Sequence, residues 1–78
     1  MITKYKIPYS KNAKTSYKEK NYTYAEYWYD QGLQQYPHNI SFLIGKSNCL
    51  FKQWKYQQSY PIYYTAKSQG KVQDGQVS

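Results

Sequence analysis

Large and small side chains recur 34 positions apart along this chain. Tyr22, Ala25 and Tyr29 are followed at that interval by Tyr56, Ser59 and Tyr63. Tyr9 and Ala13 are followed by Leu43 and Ser47, and Gly32 by Ala66. Small residues match small ones and large residues match large ones. A period of this length marks stacked supersecondary units, because one such unit cannot bury its apolar face alone and must lean on the next. The feature narrows the fold to an all-α stack, since the spacings inside each period are three and four residues.

Four helices are expected from these spacings. The first runs from about Lys6 to Tyr17, with Pro8 tolerated in its first turn, where an amide hydrogen has no partner anyway. The second runs from Tyr22 to about Gln35 and is stopped by Pro37. Asn39 is placed to cap the third, Ile40 to about Phe51, by accepting an amide hydrogen of its first turn. The fourth runs from Tyr56 to about Ser68. Pro61 lies inside it, which predicts a kink or a late start, because a proline in a helix interior costs about 3 kcal/mol. Residues 1–5 read as a loose N-terminus, 69–78 as a frayed segment without an apolar face, and 74–78 as a disordered tail. Ala13, Ala25, Ser47 and Ser59 are the small residues expected where helices approach closely.

With 78 residues the chain holds one small domain. Its single cysteine, Cys49, excludes an internal disulfide framework and reads as a buried, inert thiol. The N-terminal stretch lacks the apolar core of a signal peptide, and the longest apolar run, Phe42–Ile44, is far too short to span a bilayer. A cytoplasmic protein without membrane contact is therefore expected.

Eleven lysines, no arginine and four acids leave a net charge of +7. The lysines are spread along the chain and form no basic block. This balance favours acidic partners. The missing guanidinium removes the usual tool for reading base edges and for bidentate capture of phosphate. Twelve tyrosines could supply stacking platforms for a single-stranded nucleic acid. Those that recur at 34 residues are expected to point into the stack instead, which ranks nucleic acid below protein as a partner.

No reactive constellation is legible. His38 follows Pro37 in a turn, and Cys49 and Asp30 stand at no metal-ligand spacing from it. Gly45-Lys46-Ser47 has the letters of a phosphate loop but lacks the upstream glycine and strand, and lies in a helix pattern. Glu26 and Asp30, one helical turn apart, read as charge partners between molecules or between units and not as an acid/base pair. Asn21 and Asn39 begin glycosylation triplets, but nothing indicates secretion. Neither enzyme activity nor a cofactor is expected.

The register resembles the tetratricopeptide repeat (TPR) family. The first unit would be 6–39, carried by Tyr9, Ala13, Tyr22, Ala25, Tyr29, Gly32 and Pro37. The second would be 40–73, carried by Leu43, Ser47, Leu50, Tyr56, Ser59, Tyr63 and Ala66. Several positions depart from the family pattern. Ser16 stands where an aromatic is usual, Asn12 and Lys46 where leucine is, Trp54 at the turn glycine and Lys71 at the closing proline. The resemblance implies two stacked helix-turn-helix hairpins of a TPR-like superhelix, either alone or within a longer array. It implies a non-catalytic scaffold that binds a peptide or helix on the concave face lined by the first helix of each unit. That face would comprise Ile7, Ser10, Lys14 and Tyr17, then Ser41, Ile44, Asn48 and Phe51. The family's two-carboxylate clamp is absent, because Ser10, Lys14 and Gly45 occupy its places. An apolar peptide with some acidic character is the implied ligand. Phe51, Trp54, Tyr60 and Tyr64 are expected to be exposed on the last helix pair.

Overall fold

The computed structural model describes residues 7–77, with side chains described for residues 7–70. The expected loose N-terminus, residues 1–5, and Ser78 of the expected tail lie outside the described residues. Four helices follow one another: α1 (Tyr9–Lys18), α2 (Tyr22–Gln35), α3 (Ile40–Lys52) and α4 (Tyr56–Val77). Each packs on the next in chain order, which makes a slab only 18 Å thick with α3 covered by α2 on one side and α4 on the other.

Local sequence explains most boundaries. α1 starts later than expected, because Pro8 takes the N-cap position just outside the helix and accepts from the Asn12 amide (3.0 Å). Asn21 caps α2 by accepting from the Tyr24 amide (3.3 Å), and Asn39 caps α3 by accepting from Phe42 (2.9 Å). α2 ends at Gln35, before Pro37. α4 begins at Tyr56, not late, and passes through Pro61. It continues beyond Ser68 to Val77, since Lys71 stands where the proline that ends α2 would be.

The α1–α2 and α3–α4 turns carry the same hydrogen bonds 34 residues apart. The Asn21 amide donates to the Ser16 carbonyl (2.8 Å) and the Lys20 amide to Tyr17 (2.9 Å). Further on, Lys55 donates to Leu50 (2.9 Å) and Trp54 to Phe51 (3.0 Å). Both are Schellman closures, and in both the residue after the C-cap is left-handed: Lys20 and Trp54 each have φ of 66°. Above each turn an edge-on aromatic pair closes the gap, Tyr17 on Tyr22 (5.1 Å) and Phe51 on Tyr56 (5.0 Å). A side chain in this region is disfavoured by crowding between Cβ and the next carbonyl, a penalty glycine escapes. Lys20→Gly is expected to raise the unfolding free energy by about 1 kcal/mol, the relief of strain outweighing the extra freedom of the unfolded chain. Urea denaturation with an unchanged m-value would read this directly.

The core is built as expected around small residues at the crossings: Ala13, Ala25, Ser47 and Ser59 are all buried, and so is Ala66. Ser59 donates to the Ser47 carbonyl across α3–α4 (2.8 Å), so its buried hydroxyl is satisfied. Between α2 and α3 two aromatic rings lie on two glycines. Tyr29 of α2 covers Gly45, and Phe42 of α3 covers Gly32. Phe42 and Tyr29 are also in contact with each other (6.1 Å). Phe42 was legible as apolar but not as core, because α3 is buried on two faces and the single-stripe reading finds only one of them.

Candidate functional site

The face expected to bind is carried by α1 and α3. All eight of its residues are at least partly open to solvent. The structure divides them. Lys14, Tyr17 and Asn48 line one depression of about 270 Å³ together with Lys18, Tyr29 and Gly45. Ile7 and Ser10 line a broader one of about 570 Å³, with Tyr9, Tyr36, Asn39 and Phe42 among its walls. Ser41, Ile44 and Phe51 are exposed on α3 and line neither. Phe51 instead forms the edge-on pair with Tyr56 at the α3–α4 turn.

The smaller depression is built from the helix packing. Its floor exists because Gly45 has no side chain: the Tyr29 ring occupies that space and holds α2 close to α3. Lys14 and Lys18, one helical turn apart on α1, form one wall, and Asn48 of α3 contributes to another. Lys46 ion-pairs with Asp30 (2.6 Å), whereas Lys14 and Lys18 have no carboxylate partner among the described residues. The wall is thus positive and the floor apolar. Tyr29 and Gly45 were not among the eight residues expected on the binding face. Only the register of α2 against α3 reveals them.

Of the two acids expected as charge partners, only Asp30 has a charged partner, on α3; that of Glu26 is a neutral amide. Asp30 holds Lys46, and Glu26 accepts from Gln53 Nε2 (2.8 Å). His38 is exposed in its turn, within hydrogen-bond distance of Gln69 Nε2 through Nδ1 (3.3 Å). Among the described residues no three His, Cys, Asp or Glu side chains gather around a common point, and no helix is long and apolar enough to cross a membrane.

Cys49 is fully buried, as expected, and burial pushes its thiol up to about 12, with Glu26 and then Asp30 adding to the effect. The same neighbourhood raises Tyr17 and Tyr29: burial acts first on both, then the Cys49 charge, then each ring's tyrosine neighbour. Such a thiol is a poor nucleophile in the folded chain. The unfolded thiol loses its proton near 9.0, whereas the folded one holds it to about 12, so the unfolded state binds fewer protons between those values. Stability is therefore complete below 9.0 and falls as pH rises towards about 12. Thermal midpoints measured from pH 8 upward should show that fall, with a shallower decline in Cys49→Ala.

One expectation about the tyrosines needs correction. Of those that recur at 34 residues, Tyr29 is buried and Tyr22 and Tyr56 are half-buried, but Tyr63 is exposed. The 34-residue match does not preserve burial, because Tyr29 is covered by α3, whereas none of the described helices covers Tyr63 in the same way.

No protein-family model, curated protein or solved structure matches the chain.

Proposed function

We propose that this chain is a non-catalytic protein-interaction module of two TPR-like units that acts in the cytoplasm, alone or within a longer array. It holds an acidic peptide segment in the depression between α1 and α3. The observation that carries the reading is the pairing of two lysines that have no carboxylate partner among the described residues, Lys14 and Lys18, with an apolar floor made by Tyr29 over Gly45. A peptide carboxylate would sit against the lysines, an apolar side chain on the ring, and the Asn48 amide would hold the backbone of an extended segment. The floor is rigid because Tyr29 is locked between helices, so little entropy is lost on binding.

The test is selection of ligands from a random peptide library displayed on phage. Acidic peptides with an apolar residue are expected to be enriched. Lys14→Glu should weaken a selected peptide about tenfold or more, the loss expected for reversing one charge contact, and leave the helical circular dichroism unchanged. Enrichment of basic peptides, or binding indifferent to Lys14→Glu, would overturn the reading.

A second reading rests on the exposed rings. Trp54, 78 % exposed, stands beside Tyr56 (5.9 Å), and Lys52 and Lys55 flank it in sequence. Bases of a single strand could stack there. Affinity for an oligouridylate that falls steeply with salt, through counterion release, and is lost in Trp54→Ala would favour this reading over the first.

A further inference from the structure

Lys14 and Lys18 belong to two depressions at once. On one side lies the apolar floor of Tyr29 over Gly45. On the other, along the exposed side of α1, they line a second depression of about 570 Å³ with Lys11, Ser10 and Thr15. Lys11, Lys14 and Lys18 follow one another at spacings of three and four, so they share one face of the helix. All three are exposed, and none has a carboxylate partner among the described residues. Glu19 is the acid nearest to them in sequence, and it lines a different depression, with Asn12, Ser16, Tyr24 and Trp28.

Three like charges on one face repel one another and give α1 a strip of positive potential. An ammonium on a flexible stem is a point charge, without the fixed fork of a guanidinium. Such a strip selects a ligand by the density of its negative charge and not by the geometry of one group. A rise of about 1.5 Å per residue puts Lys11 about 10 Å from Lys18 along α1. An extended chain covers that distance in about three residue steps. The length fits a short run of acids that begins beside the apolar floor. The 78 residues themselves offer no such run, because Glu19, Glu26, Asp30 and Asp74 all stand apart. The same count, and a charge of +7 on each chain, argues against a second copy as the occupant.

We infer that the segment held in the α1–α3 depression carries a run of about four acids next to its apolar residue, lying along Lys18, Lys14 and Lys11. The inference rests on the reading proposed above. It adds the outer depression to the site, with Lys11 as the residue that tells a run of acids from a single one.

Two synthetic peptides serve as probes. Each joins a leucine to four residues: four aspartates in one, one aspartate and three asparagines in the other. Both are made with the leucine at either end and titrated into the full chain by NMR at about 0.1 M salt. The four-acid peptide is expected to bind about tenfold tighter, with shifts at the amides from Lys11 to Lys18. Lys11→Gln should weaken it about threefold, the loss expected of one exposed charge contact, and leave the one-acid peptide unchanged. Glutamates in place of the aspartates should change affinity little, because point charges do not read side-chain geometry. Lys67→Gln on α4 is the control for total charge and should have no such effect. Equal binding of the two peptides, or equal weakening by Lys11→Gln and Lys67→Gln, overturns the inference and leaves the peptide reading standing. Failure of both peptides to saturate at millimolar concentration overturns both. Displacement of the four-acid peptide by an oligouridylate that itself binds Lys11→Gln more weakly assigns the strip to nucleic acid and overturns the inference.

Discussion

Gly45→Ala is expected to destabilise the fold by about 2 kcal/mol, although alanine is the better helix former. A Cβ at this position would clash with the Tyr29 ring. That ring cannot swing aside, because it is buried between helices and in contact with Phe42 (6.1 Å). Either α2 and α3 separate or the ring leaves its rotamer, and overpacking of this kind costs about 1–3 kcal/mol. The clash here is with a locked ring, so the upper end of that range applies, and about 1 kcal/mol of helix propensity offsets part of it. Gly70→Ala is the matched control: it lies in α4 with nothing within 4 Å of an added Cβ, so only the propensity gain remains. Urea unfolding should move the two midpoints in opposite directions. A neutral Gly45→Ala would show that the helices are not held at the distance described.

Pro61→Ala is expected to have the largest effect in the stabilising direction, about 2–3 kcal/mol. Pro61 is the sixth residue of α4, past the first turn, where a missing amide hydrogen would be harmless. It cannot donate to the Gln57 carbonyl one turn earlier, and its ring crowds that carbonyl. Its side chain is exposed, so replacing it removes little packing. The one recorded contact at its own carbonyl, from Thr65 Oγ1 (2.9 Å), involves the backbone and survives the change. A thermal midpoint raised by several degrees is the expected reading. A lower midpoint would mean that α4 needs the proline's geometry to seat Ser59 and Ala66 against α3.

Some positions were legible in the sequence because they act through local rules. Pro37 ends a helix whatever surrounds it, and Asn39 caps one through its own side chain. The exposure of Phe51, Trp54, Tyr60 and Tyr64 followed from their place on the last helix pair. Ala25 and Ser59 at the crossings followed from the match of small residues, since close approach tolerates nothing larger. The candidate site was legible in part. Lys14, Tyr17 and Asn48 do meet in one depression, but Ile7 and Ser10 line another and Ser41, Ile44 and Phe51 line neither.

By itself, then, the sequence determined the all-α class, the helix order, the Asn39 cap and the small residues that let helices cross, because each of these depends on neighbours within a turn or on a strict period. Only the tertiary structure decided which ring lies on which glycine, that α3 is buried on two sides, that among the described residues Lys46 is paired while Lys14 and Lys18 are not, and that equivalent tyrosines such as Tyr29 and Tyr63 have opposite exposures. The physical reason is that burial belongs to a pair of surfaces. A residue's own identity and spacing say which face it occupies, but whether water or another helix covers that face depends on what the rest of the chain brings to it.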